Sequence, residues 1–562
     1  MQELVAQPAP QNLFDYFEGL HHCGETEALW AARAPRRPQH YYDIKLLPRV
    51  PDWAEDRDAL LALERIETEP WAGEVIRHGE EVRLRLRDSW IEACGAALEA
   101  GGSAEAALGD LAAGRRYGIQ FWDPNATKAL HVGHLRNLAI GNALAATLAQ
   151  AGAHVERRSL ISDAGRSMGE AMAGVMSSGR HEDGWAAADE KSDHFVGICY
   201  ADYVSSAGSY SDREIEDRED SLTRELTVRS DDADLLLKKV LHGDPEALEV
   251  WYRTRAWAIS GQRKTLAHLG IAFDRVFFES DFLAEAHQLV EDGLRDGTLR
   301  RRGDGVVVYP TGREDFEELP LVRPDGLSTQ HLRAISYWMG EAHALGEATS
   351  VQVCGVEWVP HAICINQLMT QMTSNGGSGV HPRQDIFHGM VAHQKRALAS
   401  SDGALLVDDL LESIDQELDA NEERQAIRRS HPHPERIAAQ IALGFFLPTA
   451  VTPRIDFDPR RLFKAGNSLG WDLVRARARH GRAHPDGSPA HDPDYRFATV
   501  QSELYRRYLR LAAERLDVRP LAHYLKHLCG WYLESDRGEP TERVVHTLLD
   551  RTARGLGLEP VT

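Results

Sequence analysis

The sequence has few cysteines and no closely spaced pair of them. Six cysteines are scattered over 562 residues, and none belongs to a C-x-x-C pair. This distribution indicates neither a disulfide framework nor a thiolate zinc site. We therefore expect a reducing compartment.

Long apolar runs are also missing. No window approaches the roughly 18 apolar residues that a membrane-spanning helix needs. The first residues, MQELVAQPAPQ, lack the basic stretch and apolar run of a secretory leader. A content of 43% hydrophobic and 27% charged residues is ordinary for a globular protein of several domains. We expect a cytoplasmic protein that makes no membrane contact and acts as a monomer.

The chain lacks net positive charge, since its 64 basic and 86 acidic residues give a formal charge of -22. This balance argues against a protein that coats nucleic acid without specificity. Local basic clusters could still contact phosphates, or could simply form solvated faces. Two occur: YRRYLRLAAERL at 505–516, and VRARARHGR, which holds Arg475, Arg477, Arg479 and Arg482.

The pattern along the chain indicates three parts. About 110 residues of mixed character include EEVRLRLRDSWIEAC, which predicts a strand followed by a helix. A linker-like stretch, AGGSAEAALGDLAAGRR, comes next. The chain then shows the order typical of a β-α-β unit with a parallel sheet: a strand-like RYGIQFW, a polar turn, a long helix and a second strand-like run, HVERRSLIS. An acidic helical insertion follows at about 170–260, and strand-like runs return at GVVVYP and SVQVCGV. After residue 431 the chain reads as helices.

The turn of the β-α-β unit, DPNATKALHVGHLRN at 123–137, concentrates polar groups where the strand ends and the helix begins. Backbone N–H groups and the helix dipole favour an anion at such a position. His131 and His134 are three residues apart and can share one helix face, while Gly133 lets a nucleotide approach the backbone. Lys128 adds a mobile positive charge. Together these residues predict a phosphate-binding site.

This stretch resembles the Pro-Asn-x-x-Lys-Pro-x-His-x-Gly-His-Leu-Arg pattern of class I aminoacyl-tRNA synthetases, specifically of arginyl-tRNA synthetases. The resemblance covers nearly the whole chain, and its further segments keep their order and spacing. These segments are LISDAGRSMG (160–169), DHFVG (193–197), LGIAFDRVFFES (269–280), LVRPDGLSTQHLRAI (321–335), GVEWVPHAI (355–363), FHGMV (387–391), LLVDDLLE (405–412) and IDFDPRRLFKAGNS (455–468).

The resemblance implies an α/β fold with a Rossmann-type catalytic domain at 113–430, interrupted by the insertion. A reduced N-terminal α+β domain would occupy 1–112, and an α-helical domain resembling an anticodon-binding domain would occupy 431–562. The implied reaction joins an amino acid to ATP as an aminoacyl-adenylate and then transfers the acyl group to tRNA. Lys128, His131 and His134 would offset charge on the phosphates, with Mg²⁺ as the helper ion.

The same resemblance implies roles for further residues. ATP would contact Asn125, Gly133 and Lys395 in addition to the two histidines. Asp123 and Asn125 would hold the amino group of the substrate, although Asp123 replaces the small polar residue that is usual there. No residue is assigned as a direct metal ligand.

Two departures from the family pattern concern ATP and the amino acid. The Lys-Met-Ser-Lys-like loop is replaced by ALASSDG at 397–403, without a lysine, and only Lys395 and Arg396 lie close by. Some arginyl enzymes lack that loop and rely on the lysine before the histidines, which is present here as Lys128.

In the amino-acid pocket, the Tyr and Asp of the family's Thr-Tyr-x-x-Arg-Asp segment are replaced by Gln330 and Ala334. Trp358 stands where a glutamine is common, and Glu279 keeps a pocket carboxylate. A guanidinium without these partners would lose roughly 1.5 to 3 kcal/mol of charge-assisted bonding. Arginine is therefore a doubtful substrate, and the sequence predicts a different or smaller amino acid at least as readily.

The acceptor side also departs from the family pattern, because LGWDLVRARAR replaces the segment that carries tyrosine and glutamine in the family, and the terminal Met is absent.

Three functions stay open. The first is an aminoacyl ligase that charges tRNA, with Arg475, Arg477, Arg479 and Arg482 contacting phosphates. The second is a paralogue that acylates an amine of a small molecule, as in secondary-metabolite or peptidyl-nucleoside (antibiotic) pathways. The third is a non-catalytic relative that binds ATP or tRNA.

Overall fold

The fold was analysed in a computed structural model. The residues whose structure it describes are 13–20, 28–50, 52–100, 111–180, 190–206, 232–345, 348–376, 383–393, 396–397, 405–449, 454–479, 488–534 and 538–559.

The N-terminal part is an α+β unit built on a four-stranded antiparallel sheet in the order β1-β2-β4-β3. Strand β4 alternates as the sequence predicts, with Val82, Leu84 and Leu86 buried and the intervening side chains partly exposed. A helix follows directly, as expected from EEVRLRLRDSWIEAC. The elements are α1 (Leu13–Glu18), β1 (Trp30–Arg33), β2 (Ile44–Pro48), α2 (Arg57–Thr68), β3 (Ala72–His78), β4 (Glu81–Leu86) and α3 (Asp88–Glu99).

The centre of the molecule is a five-stranded parallel sheet in the order β12-β11-β5-β6-β7. The predicted β-α-β unit is confirmed, and Gly152 follows its helix with φ 93°. The chain leaves β5 towards β6 on one side and returns through β11 on the other, which makes the gap between β5 and β11 a topological switch point. The elements are β5 (Arg116–Trp122), α4 (Val132–Gln150), β6 (His154–Ile161), β7 (Arg275–Phe278), β11 (Thr349–Gly355) and β12 (Gln384–His388).

The insertion between β6 and β7 is helical in its described residues. Its last helix begins with the Asp244 side chain accepting from Ala247 N and ends at Gly270, which has φ 69°. The helices are α5 (Arg166–Ser177), α6 (Ser192–Ser206), α7 (Asp232–Leu241) and α8 (Pro245–Leu269).

A second insertion, between β7 and β11, holds a separate antiparallel sheet in the order β10-β9-β8. The GVVVYP run belongs to this sheet and not to the parallel one. Two helices flank it, and a third follows β11. The elements are α9 (Leu283–Asp296), β8 (Arg300–Arg301), β9 (Val307–Arg313), β10 (Phe316–Val322), α10 (Gln330–Leu345) and α11 (Val359–Gly376).

The C-terminal part is mainly helical, as predicted, but IDF forms a short strand in a small sheet with the chain after β12. The small sheet consists of β13 (Val391–His393), β14 (Arg396–Ala397) and β15 (Ile455–Phe457). The helices are α12 (Val407–Asp419), α13 (Glu422–Ser430), α14 (Ile437–Gly444), α15 (Leu469–Arg477), α16 (Pro493–Arg515), α17 (Arg519–Glu534) and α18 (Glu539–Gly555).

Buried polar contacts tie the three parts together. The guanidinium of Arg496 on α16 donates to both carboxylate oxygens of Asp43, at 2.9 and 2.5 Å. Thr147 on α4 donates to the Gly555 carbonyl at 2.7 Å. In the described part of the chain, no helix combines the length and apolar composition needed to cross a membrane.

Candidate active site

A cavity of about 290 Å³ opens at the carboxyl ends of β5 and β11, at the switch point of the parallel sheet. It brings together side chains from strands, the start of α4, helix α10 of the second insertion and helix α11 after β11. The residues singled out from the sequence that line it are Asp123, His131, Gly133, His134, Glu279, Gln330, Ala334 and Trp358.

His131 and His134 stack at the start of α4, with ring centroids 3.8 Å apart. His131 Nδ1 accepts a hydrogen bond from the backbone N–H of Gly133 at 3.1 Å. His134 Nδ1 accepts from the backbone N–H of His131, also at 3.1 Å. In each neutral ring the accepting Nδ1 leaves the proton on Nε2. The backbone therefore sets both tautomers, and each Nε2 is the ring's hydrogen-bond donor.

This arrangement corrects one part of the phosphate-site prediction. The first backbone N–H groups of α4 do not point at a ligand, because they have partners within the chain. Besides the two bonds to imidazoles, Val132 N donates to the Leu405 carbonyl and His134 N donates to the His131 carbonyl. At this turn the imidazole N–H groups, and not the backbone N–H groups, are therefore the candidates for contact with a phosphate.

The charges at this turn are set by burial. Burial lowers the pKa of His134 to about 3, and the nearby Lys128 ammonium lowers it further in the same direction. His134 is therefore neutral at pH 7 and can offer an N–H dipole. Burial also lowers the pKa of Lys128 to about 8, so Lys128 carries the charge at neutral pH.

The backbone carbonyls of Asn125 and Lys128 fix the loop between β5 and α4. Gln262 on α8 donates its side-chain amide to the carbonyls of Asn125 and Lys128, at 3.0 and 2.8 Å. Asn125 also forms a parallel bridge with Ser162, after β6. Neither side chain lines the cavity, so their assignment to ATP or to the substrate amino group stays a prediction.

Asp123 stands at the end of β5, in the middle of the sheet. Its carboxylate accepts from Gln120 at 2.8 Å, from Leu160 N at 3.4 Å and from Gln352 on β11 at 3.3 Å. Burial raises the pKa of Asp123 to about 6, and the Glu279 carboxylate adds to that rise. The group is mostly ionised at pH 7 and can accept from an ammonium.

Glu279 is fully buried, and its charge already has a partner within the chain. Arg333 Nε lies 2.6 Å from a Glu279 carboxylate oxygen, and Ser162 donates to the same oxygen at 2.9 Å. Both side chains of the pair are 3% exposed. The Arg333 guanidinium also donates to Ser328 and packs against Gly165. The pocket carboxylate that the sequence keeps at Glu279 is therefore already neutralised within the chain.

Next to this pair, the starts of α10 and α11 contribute an aromatic wall. His331 and His361 stack with centroids 4.7 Å apart and planes 12° apart, and the Trp358 ring lies 5.4 Å from His361. His331 is 4% exposed, and burial lowers its pKa to about 3. Sequence reasoning missed both histidines, although they lie within motifs it quoted.

Other residues of the site were missed as well. Gln352 pairs in register with Gln120 across β11 and β5, which places its amide beside Asp123. His388 of the FHGMV segment lies 2.5 Å from Asn137 of α4 through its Nε2. In the sequence, the glutamine within SVQVCGV and the histidine in FHGMV were the features that could have indicated these site residues. Neither could be assigned to the site without knowing which distant strands pair in the parallel sheet.

In the described part of the arginine cluster, the side chains contact groups of the same chain. Arg477 is buried, donating to Asp550 at 2.5 Å and to Glu559, so it cannot contact a phosphate. Arg479 donates to the Tyr532 carbonyl, and Arg475 lies 3.6 Å from Asp472. In the second cluster, Arg506 and Arg510 pair with Asp15 of α1. Arg482, Lys395 and residues 398–403 lie outside the described residues.

A group with metal-ligand geometry lies outside the cavity, between α6 and α12. It consists of Asp193, His194 and Asp408. The Lys191 ammonium already lies 3.1 Å from Asp193 and 2.7 Å from Asp408. These contacts join the insertion to the C-terminal part. The Lys191 ammonium supplies the positive charge that a metal ion would supply there.

A parallel sheet with a histidine pair at its central strand-to-helix turn, and a polar crevice at its switch point, defines a nucleotide-binding catalytic domain of the class I synthetase type. A family model described as tRNA synthetases class I (R), catalytic domain, matches residues 110–446, which is more than half of the chain. The chain belongs to this family of class I aminoacyl-tRNA synthetases.

Curated relatives and solved structures agree with this membership. The chain is 26% identical over 368 residues to an arginine–tRNA ligase of Borrelia duttonii, covering 62% of this chain and 58% of that protein. It is 26% identical over 404 residues to that of Bacteroides thetaiotaomicron, covering 66% and 65%. The chain thus spans about three-fifths of the length of the curated relatives it matches.

Two solved structures have the same fold over almost the whole chain. The arginyl-tRNA synthetase of Thermus thermophilus superposes with a TM-score of 0.65 at 20% identity, covering 96% of this chain and 97% of that one. The Plasmodium falciparum enzyme gives 0.60 at 14% identity, with 95% and 94% covered. The predicted α/β class with flanking α+β and all-α parts is confirmed.

Proposed function

We propose that this protein is a ligase that joins an amino acid to ATP as an aminoacyl-adenylate and passes the acyl group to tRNA. The observation that carries the proposal is the pair His131–His134, whose rings line the same cavity as the Asp123 carboxylate and whose Nδ1 atoms accept from the backbone. The imidazoles would offer N–H donors to phosphates, and the carboxylate would offer an acceptor to an ammonium.

In the first step, an oxygen of the amino-acid carboxylate attacks the α-phosphorus of ATP. A bond from phosphorus to the bridging oxygen breaks, and pyrophosphate leaves with the electron pair. Lys128 would carry the neutralising charge, and the neutral imidazoles would donate to phosphate oxygens. Such preorganised donors act where charge develops in the transition state. Asp123 would hold the substrate's ammonium and so orient its carboxylate.

Mg²⁺ would enter with ATP. Of the buried carboxylates of the cavity, Asp123 is assigned to the substrate ammonium and Glu279 is paired with Arg333. Mg²⁺ keeps waters and binds phosphates through few protein ligands. The residues present therefore fit an ion held by the ATP phosphates, which would add positive charge beside Lys128.

The amino acid is proposed to differ from arginine. The Gln330 and Ala334 side chains line the pocket and present no carboxylate to a guanidinium. Glu279, the buried carboxylate at this end of the pocket, is bound to Arg333. A second cation placed there would have to displace Arg333 or stay uncompensated.

The retained architecture supports tRNA as the acceptor. Both the N-terminal α+β unit and the C-terminal helical part are present. They contact each other through Arg496–Asp43, and the C-terminal part contacts the catalytic domain through Thr147 and the Gly555 carbonyl. Residues that bind only ATP and an amino acid would not require these flanking parts.

A second acceptor is favoured by a different observation. The arginines of α15 are engaged within the fold, and Arg477 is buried. This loss of a basic path favours an amine of a small molecule as the alternative nucleophile, with AMP as the leaving group in both cases.

ATP–pyrophosphate exchange over the twenty amino acids, with and without tRNA, tests the adenylation step. We expect exchange with at least one amino acid other than arginine. If no amino acid supports exchange under either condition, the proposed ligase activity is wrong.

The acceptor is tested with the adenylate formed in place. Transfer of labelled amino acid to tRNA, with strong salt dependence, supports the leading proposal. Release of the acyl group only to an added small-molecule amine, with no salt-sensitive tRNA binding, supports the alternative instead.

A further inference from the structure

The end of the cavity furthest from the histidine pair of α4 is built by two helix starts. Gln330, His331 and Ala334 line it from the first turn of α10. Thr329 anchors that turn, since its hydroxyl accepts from Leu332 N and donates to the Pro320 carbonyl. From the other side come Trp358, Ala362 and Ile365, at spacings that share a helix face. This wall is rigid, largely apolar and carries three neutral polar side chains at most.

Two buried charged groups of this wall are neutralised within the chain. Glu279 is held by Arg333 at 2.6 Å, in a pair that is 3% exposed on both sides. Arg383, the guanidinium that also lines the cavity, lies 2.7 Å from Asp385. Glu357 lines the cavity but is exposed, so water screens its charge. Transfer of an unpaired charged side chain into such a pocket is strongly unfavourable.

Buried imidazoles supply the polar character that remains. Neither ring nitrogen of His331 makes a hydrogen bond of ordinary geometry, although the ring is 4% exposed, and His361 Nδ1 likewise has no partner. The Pro320 carbonyl, which also accepts from Thr329, lies near one ring nitrogen of His331 and leaves the other nitrogen for a ligand. Buried polar atoms are normally satisfied, so unsatisfied ones lining a cavity indicate a ligand that pairs with them.

We infer that the amino acid activated at this site has an uncharged side chain ending in a hydrogen-bonding group, such as an amide or ureido group, which pairs with His331. A neutral imidazole nitrogen is either a donor or an acceptor, and an amide end carries both an acceptor and a donor, so it can pair with the remaining His331 nitrogen in either tautomer. His361 acts as a positioning residue, because its ring stacks on His331 and fixes the plane of that imidazole. The inference rests on the proposed adenylation activity.

Matched amino acids test this inference in the full-length protein. L-Citrulline and L-arginine have nearly the same shape and differ in the charge of the terminal group, and L-norleucine removes its hydrogen bonds. ATP–pyrophosphate exchange is measured with these three and with glutamine, asparagine, lysine and leucine. We expect kcat/KM for the uncharged polar group to exceed that for arginine and for norleucine by at least tenfold.

The variant His331→Phe keeps a planar ring and removes both nitrogens. It should lower kcat/KM for uncharged polar amino acids by about tenfold, mainly through KM, while exchange with norleucine or leucine stays equal or rises. The exposed His154 on β6 gives a matched control, and His154→Phe should leave the preference unchanged. His361→Phe should give a smaller loss than His331→Phe.

The outcomes separate the inference from the proposed function. Exchange that is best with arginine or lysine would overturn the inference and leave the ligase activity standing. A preference for leucine or norleucine that His331→Phe does not alter would also overturn it. No exchange with any amino acid, in a protein that still binds ATP, would overturn the proposed function itself. Should His331→Phe fail to fold, the ranking of the unmodified protein decides.

Discussion

Arg333 Nε lies 2.6 Å from a carboxylate oxygen of Glu279, and the two buried side chains form an ion pair at the wall of the catalytic cavity. A pocket carboxylate that could receive a cationic substrate is therefore neutralised by a guanidinium of the same chain. The same ion pair therefore stabilises the fold and restricts which amino-acid side chains the pocket can bind.

The pair should be needed for stability. Arg333→Met leaves the buried Glu279 charge without its partner and should cost about 3 to 5 kcal/mol. The double variant Glu279→Gln with Arg333→Met removes that charge and should recover much of the loss. Midpoints of urea unfolding at pH 7 measure both; equal midpoints for the single and double variants would show that the pair carries no such energy.

Replacing His134 or Lys128 with Ala should slow adenylate formation by on the order of 100-fold or more, because each supplies a donor or charge to the phosphates. The His154→Ala variant, at an exposed position of β6, serves as the control and should be unaffected. The check is ATP–pyrophosphate exchange together with circular dichroism. A folded His134→Ala protein with near-normal exchange would remove the histidine pair from the site.

Two pKa shifts predict a bell-shaped pH dependence of exchange. Asp123, with its pKa raised to about 6 by burial, must be ionised to hold an ammonium, so kcat/KM for the amino acid should fall as pH drops through about 6. Lys128, with its pKa lowered to about 8, must be protonated, so kcat/KM for ATP should fall as pH rises through about 8. His134, with a pKa of about 3, stays neutral throughout and adds no limb.

Substitutions at Lys128 and Asp123 show which group causes each limb of the pH profile. Lys128→Arg should keep the charge at high pH and move the basic limb upward, since the guanidinium does not titrate in this range. Asp123→Asn should remove the acid limb along with most of the affinity for the amino acid. An unshifted basic limb in an active Lys128→Arg protein would exclude Lys128 as its source.

The double change Gln330→Tyr with Ala334→Asp should raise exchange with arginine. It returns an aromatic ring and a carboxylate to the two positions of the pocket wall, and both can bind a guanidinium. The measure is kcat/KM for arginine in both proteins, with leucine as the reference amino acid. If the unmodified protein already activates arginine best among the twenty, the interpretation of the pocket is wrong.

Arg477 and Arg475 should behave differently, although only one residue lies between them. Arg477→Ala leaves the buried Glu559 without its guanidinium and should cost about 3 kcal/mol or more. Arg475→Ala, at a partly exposed side chain, should cost less than about 1 kcal/mol. Thermal unfolding measures both. If tRNA binds along this helix, the Arg475 variant should flatten the salt dependence by roughly 0.7 to 0.9 log units.

The elements that follow from local periodicity were predictable. The alternation in EEVRLRLR, the strand before Asp123, the helix from His131 onward and its end at Gly152 all depend on residues within one or two turns of each other. The phosphate-site prediction has the same local basis. Its one error, the free backbone N–H groups, arose because the imidazoles of this turn accept from them.

The sequence by itself determined the β-α-β unit, the family resemblance and the set of residues that could meet at its turn. Only the tertiary structure decided which of them are available to a substrate. Arg333 reaches Glu279 across 54 residues, and Arg477 reaches Glu559 across 82. Such pairs form because unpaired charges cannot be buried, and their choice of partner depends on how distant strands and helices pack. The periodicity of hydrophobic residues along the chain does not specify that packing.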